Sequence, residues 1–267
     1  KLSAVNRQQQ IYYHKIGTQQ TDDVLVYKND TQSKQFLYLT NTEDEKYLFL
    51  HLISGSSGNH TLYYTQTEKW REGFLPIDES NNNKTYIIDQ INDHFIALTN
   101  HQAPNKKIVA IPVNKIGIDN WVDLIPEKAD ILVDAFHIGK KLVLLYMQDV
   151  ASKLMVYHAN GQLENEIDLP GLGTVGIIRG SYDSPTFFYN FSAPTMPNSI
   201  YQYNCDTHKN TLYQKSAFKE TLDELITKQV FYTSKDGTKV SLFITHRKDI
   251  TLDGNNPTLL YGYGGFN

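Results

Sequence analysis

The sequence has a single cysteine, Cys205, among 267 residues, so no internal disulfide can form. His208 lies close by in sequence, but there is no second cysteine and no His-Glu-x-x-His pattern, so no metal site is expected. Both residues follow a strand-like burst in a polar turn and are read as surface residues. A chain this poor in cysteine fits a reducing compartment, the cytoplasm, with a disulfide-free periplasmic protein as the alternative.

Long apolar runs are also lacking. The longest, around Leu142 to Met147, is strand-sized and falls well short of the ~18 to 20 residues that span a bilayer. A soluble chain without a membrane partner is predicted. Positive charge is in deficit, with 25 Lys and Arg against 29 Asp and Glu, a net charge of −4. No stretch gathers basic residues on one face, which argues against nucleic acid. The start, Lys1-Leu2-Ser3-Ala4, has neither an initiator Met nor a signal-peptide apolar region and reads as processed or cut. No Gly-x-Ser-x-Gly elbow occurs anywhere.

What is present is an aromatic and aliphatic periodicity. The 18 Tyr and 12 Phe occur with Val, Ile and Leu in bursts of four to six residues bounded by Gly, Asn, Asp and Pro, which read as strands. Leu62, Ile108, Leu154 and Ile200 open bursts spaced 46 residues apart. Leu48, Phe95, Leu142 and Phe187 form a second series, and Leu75, Val122, Ile167 and Leu212 a third, at intervals of 45 to 47. A weaker series runs through Phe36, Ile87, Leu132 and Ile177.

Four strands in about 45 residues is the period of a β-propeller blade, and the helical 3.6-residue pattern is absent. The fold class is therefore all-β. Blades are predicted at about 32–80, 85–126, 129–169 and 173–215. Upstream, Ile11-Tyr12-Tyr13 and Val24-Leu25-Val26-Tyr27 make an orphan half-blade lacking its inner strands. A closed ring leaves no such remnant, so upstream sequence is expected to be missing. Open blade edges also predict self-association.

After Lys215 the period breaks. Residues 216–229 read as a linker or short helix, and residues 230–267 as the start of a second domain. Asp236-Gly237, between two alternating segments, predicts a hairpin with a type I′ turn. A third strand is predicted at Thr258-Leu259-Leu260-Tyr261, opening into the glycine-rich end of the chain. Gly171-Leu172-Gly173-Thr174-Val175-Gly176 spells the dinucleotide fingerprint, but Pro170 precedes it and Ile177-Ile178 lead into a strand. It is therefore read as an inter-blade turn.

The segments Tyr232-Thr233-Ser234-Lys235-Asp236-Gly237-Thr238-Lys239, Leu252-Asp253-Gly254 and Leu260-Tyr261-Gly262-Tyr263-Gly264-Gly265-Phe266-Asn267 resemble the prolyl oligopeptidase family of serine peptidases. A looser similarity, including Tyr12-Tyr13-His14 and Gly17-Thr18, extends across the blades. Relatives specific for basic residues share the Tyr-Gly-Tyr-Gly start, whereas the Gly-Gly-Phe-Asn continuation looks like the prolyl branch.

The resemblance implies a seven-bladed propeller set before an α/β-hydrolase domain that cleaves short peptides after proline, the propeller excluding folded proteins. This chain would hold about four and a half blades (1–215), the linker (216–229) and the first hydrolase strands (230–267). The family's Ser, Asp and His lie beyond its last motif, so the chain alone is expected to be inactive. No cofactor is implied.

Tyr263 matches the family tyrosine that joins a backbone N–H in the oxyanion hole; the alternative is a structural Tyr at a strand end. A neutral phenol donor of this kind contributes about 3 to 4 kcal/mol to the tetrahedral intermediate in comparable cases. Phe266 matches an aromatic wall of the proline pocket, or else is a packing Phe. Phe36 and Ser56 align, by their spacing to Tyr47-Leu48, with propeller positions bordering the substrate; otherwise they are an inner-strand core Phe and part of a Gly-Ser-Ser-Gly turn. The competing reading is a non-catalytic propeller scaffold that binds a protein or peptide partner.

Overall fold

The computed structural model describes residues 9–29, 35–55, 59–218 and 222–263. Strands β1 (Gln10–Tyr13) and β2 (Val24–Lys28) form a two-stranded ribbon. Four antiparallel four-stranded sheets follow. The first holds β3 (Gln35–Asn41), β4 (Tyr47–Ser54), β5 (Asn59–Gln66) and β6 (Leu75–Asp78). The second holds β7 (Thr85–Ile91), β8 (His94–Thr99), β9 (Lys107–Pro112) and β10 (Val122–Ile125). The third holds β11 (Ile131–Ile138), β12 (Lys141–Gln148), β13 (Ala151–His158) and β14 (Leu163–Ile167), and the fourth β15 (Thr174–Gly180), β16 (Thr186–Ala193), β17 (Met196–Asn204) and β18 (Lys209–Gln214). Within each sheet, strands pair in sequence order, as in a propeller blade. The predicted blades and the half-blade coincide with these sheets.

Strand sequence explains blade packing. In β12, Leu142, Leu144 and Tyr146 pack toward the second blade with Ile96, Leu98 and Ile108. The alternate residues Val143 and Leu145 pack toward the fourth blade with Val175, Phe187 and Tyr189. A strand with both faces buried reads as a continuous apolar run instead of an alternating one. β8 repeats the logic: Ile96 and Leu98 face the third blade, while Phe95 and Ala97 face Phe49 and Leu62 of the first. There Phe95 meets Phe49 and Tyr47 edge-on, both at 4.9 Å between ring centroids, a favoured aromatic geometry.

The fingerprint-like glycines sit between β14 and β15 and run directly into strand, as expected of an inter-blade turn. A Cβ at Gly173 would lie 2.4 Å from the Ser192 carbonyl oxygen and 2.5 Å from the Phe191 ring, so only glycine fits without a shift.

Three expectations fail. β19 (Leu225–Thr233) begins five residues before the predicted boundary at 230, and pairs along its whole length with β20 (Lys239–Arg247), so the linker is shorter than 216–229. No helix occurs among its described residues. The turn is also different. Thr233 pairs with Lys239, the Ser234 N–H donates to Thr238 O at 2.8 Å, and of the central residues only Gly237 has positive φ, +86°. This is a three-residue loop that uses one left-handed glycine, not the two left-handed positions of type I′. Finally, residues 258–261 form no strand, and Leu259 is 90% exposed. A segment apolar on both faces is stable as a strand only between sheet neighbours, and among the described residues none pairs with it.

Cys205 also departs from expectation. It is fully buried in the core between the third and fourth blades, because its N–H donates to Pro185 O at 2.7 Å and turns the side chain inward beside Tyr203 and Ile138. Burial, with Glu164 next, pushes its thiol up to about 11. His208 remains at the surface, 3.3 Å from Glu164. A disulfide-exchange reagent at neutral pH should therefore leave the native thiol unreacted and titrate one equivalent after denaturation; rapid labelling of the native chain would contradict this packing.

A second buried group sets an acid limit. His51 stacks on Tyr38 at 4.4 Å, its Nε2 meets the Thr40 hydroxyl at 2.9 Å, and His60 lies 5.6 Å away, ring to ring. Burial, then His60, pushes His51 down to about 3. An unfolded histidine titrates near 6.5, so between those values the unfolded state binds more protons and stability rises with pH. The contribution is complete above about 6.5 and is lost as pH falls toward 3, at up to about 1.4 kcal/mol per pH unit. Urea midpoints between pH 4 and 6.5 should fall more steeply for the wild type than for His51→Gln. Parallel slopes would exclude His51 as the source.

Candidate functional site

The four blades share a polarity that fixes which residues can meet. In each, the first strand starts, the second ends and the third starts at one face of the propeller. Gln35 thus pairs with Ser54, Ile131 with Met147, and Thr174 with Ser192. β18 runs toward this face too, because it pairs antiparallel with β17 from Lys209 opposite Asn204 to Gln214 opposite Ile200. The chain leaves the last blade there, which puts the β19–β20 hairpin on the same side.

Contacts between the hairpin and the blades follow from that exit. The Gln229 side-chain amide of β19 donates to the Asp149 carbonyl in the β12–β13 turn at 2.5 Å. Phe243 of β20 lines a cavity of about 320 Å³ with Val150, Leu172 and Pro194. A neighbouring cavity of about 370 Å³ lies between Met196, Tyr201 and Leu212 of the last blade and Phe218 and Leu222 of the linker.

Phe36 lies near the start of β3, at this junction face, and is 59% exposed; it is not the core residue of the alternative reading. Ser56 and Phe266 lie outside the described residues, as do Gly264 and Gly265. The end of β4 is held at this face by a 2.9 Å hydrogen bond from the Ser54 hydroxyl to the Asn81 side-chain oxygen. Tyr263 is 74% exposed. Neither Tyr263 nor Phe36 lines either of the two junction cavities.

Sequence reasoning missed the polar groups of the propeller axis. The first strands approach one another there, β7 against β11. Asp134 on β11 and Arg179 on β15 are exposed on these strands, and Lys106 reaches the Val133 carbonyl at 3.4 Å. Although Asp134 keeps access to solvent, partial desolvation among the inner strands pushes its carboxyl up, countered by the Ala135 N–H at 2.9 Å and by the charges of Lys106 and Arg179. Burial pushes the Lys106 ammonium down. With Phe36, Ile131 and Ile177 exposed on the same set of strands, the axis presents apolar and ionised groups together. The available signal was Asp134 interrupting the apolar pattern of Ile131 to Ile138.

At the opposite face a network centred on a buried Asp89–His137 pair ties four blades. Asp89 of β7 meets His137 Nδ1 of β11 at 2.5 Å and accepts the Glu43 N–H from the β3–β4 turn at 3.0 Å. The His137 ring packs edge-on against Tyr182, after β15, at 4.8 Å. Burial works against the Asp89 carboxylate, but the hydrogen bonds from His137, Glu43 and Gln90 outweigh it and hold its pKa below the usual range. These residues fix the relative positions of the inner strands, and so the shape of the axis.

Comparison with known proteins agrees with this architecture. Residues 1–216 match the N-terminal beta-propeller domain of prolyl oligopeptidase. The chain is 33% identical over its whole length to a prolyl endopeptidase of Elizabethkingia miricola, spanning 37% of that protein. It is 28% identical to prolyl oligopeptidase A of Galerina marginata over 96% of the chain and 36% of the relative. A solved structure from a study of two prolyl endopeptidases superposes with a TM-score of 0.86 at 32% identity, covering 96% of this chain and 37% of the other. Prolyl oligopeptidase B of Galerina marginata, bound to a 25mer macrocyclization substrate, shares the fold with a TM-score of 0.83 at 24% identity, over 93% of this chain and 36% of the other. The chain thus spans little more than a third of the relatives it matches.

Proposed function

The chain belongs to the prolyl oligopeptidase family, and from that premise we propose that it forms the propeller side and the catalytic-domain threshold of a cytoplasmic serine peptidase cleaving short peptides after proline. The observation that carries this reading is continuity. A propeller matched over residues 1–216 runs on its junction face into a hairpin, and the chain then reaches Tyr263-Gly264-Gly265-Phe266-Asn267, with family similarity maintained over the full 267 residues.

The roles follow from chemistry. Acyl transfer from a peptide needs a nucleophile, a base and a group that stabilises the oxyanion. Tyr263 supplies the last: its phenol is a neutral donor that strengthens its hydrogen bond as the carbonyl oxygen becomes anionic. Phe266 forms an apolar wall for the proline ring, and Phe36 and Ser56 border the substrate from the propeller. The nucleophile is absent from these 267 residues, so the chain alone does not turn over substrate. The propeller acts as a size filter, because its packed blades leave the axis and the junction as routes for an extended peptide and block a folded domain.

The test uses the longer protein that contains this sequence. A short peptide with proline before a reporter amide should be cleaved, and Tyr263→Phe should lower kcat about 100-fold with little change in KM. An unchanged kcat removes Tyr263 from the oxyanion site, and no cleavage after proline overturns the assignment.

A further inference from the structure

We propose that the Asp149-Val150 turn is the seat that registers the hairpin on the propeller, with Gln229 and Phe243 as its two positioning residues. The proposal rests on reading β19 and β20 as the threshold of the catalytic domain.

The turn joins β12 to β13 with only two residues, since Gln148 pairs with Ala151. Both residues are left-handed, Asp149 at φ 47° and Val150 at φ 70°. A type I′ turn demands this, and glycine, asparagine or aspartate usually supplies it. Valine does not: a β-branched side chain at positive φ is a strained outlier. The propeller thus carries a destabilising residue in an exposed two-residue turn, where Val150 is 61% exposed.

The hairpin meets the turn at this point. Gln229 and Phe243 are direct cross-strand partners, so their side chains leave the same face of the hairpin. The Gln229 amide donates to the Asp149 carbonyl and also to the Ser241 hydroxyl at 2.8 Å, which fixes its orientation. Phe243 shares a cavity with Val150. One strained turn therefore presents a polar and an apolar prong to one cross-strand pair. Strain held in place at a contact between elements points to function there, because the turn gains nothing from it within its own blade. A two-stranded ribbon is at best marginal alone, so the seat also orders the hairpin.

Amide exchange on the 267-residue chain tests this without any need for hydrolysis. Gln229→Ala should speed exchange in β19 and β20 about tenfold and leave β8 and β12 unchanged. Val150→Gly should raise the melting temperature of the blades by about 2 °C, by relieving the strain, and still loosen the hairpin. That opposition separates a seat from a merely structural turn. Unchanged hairpin exchange in both variants, or loss of blade stability in Val150→Gly, overturns the proposal. If the seat behaves as expected while the longer protein fails to cleave after proline, the seat stands and the peptidase reading falls.

Discussion

The structure depends above all on the second strands of the second and third blades being buried on both faces. Phe95 and Ile96, or Leu142 and Val143, are neighbours in sequence yet belong to cores on opposite sides of their blade. No blade has a complete core of its own. Stability is shared across interfaces, as in other repeat architectures where neighbouring units complete one another. This constraint makes the inner strands stand in a fixed arrangement about the axis. It also leaves polar residues to be accommodated at the strand ends, where Asp89 and His137 join blades on one face and the hairpin joins them on the other.

The two faces consequently do different work. Around the buried Asp89–His137 pair, the Glu43 backbone and the Tyr182 ring add contacts, so that four blades contribute, which suits a rigid closure. At the junction face, the contacts are few and partly exposed, and one is made by a strained turn. A face built this way can hold a second domain in register and still release it. The proposed peptidase reading calls for that combination at this face.

Legibility in the sequence followed the physics of burial. The blades could be read because burial writes an apolar burst at the second strand of each blade, continuous where both faces are covered as at Leu142 to Tyr146, and the 46-residue spacing of Leu62, Ile108, Leu154 and Ile200 is independent of side-chain detail. Cys205 was misread because a turn polar in sequence still sends one small side chain inward when its backbone N–H is tied to Pro185. The strand expected at residues 258–261 was misread for the complementary reason: its apolar pattern describes a place inside a sheet, and pattern alone cannot supply the neighbours. Of the site, Tyr263 and Phe36 could be named from sequence, but both are exposed and neither lines the two junction cavities.

The sequence by itself determined the periodic architecture, the family and the identities of the candidate residues, because these depend on local patterns and short motifs. Tertiary structure alone decided that Cys205 is inert, that His51 is neutral, that four blades meet through Asp89 and His137, and that a two-residue turn receives the hairpin. Each of those facts joins residues far apart in the chain, and the energy of burying or pairing a group depends on what surrounds it, which no local pattern records.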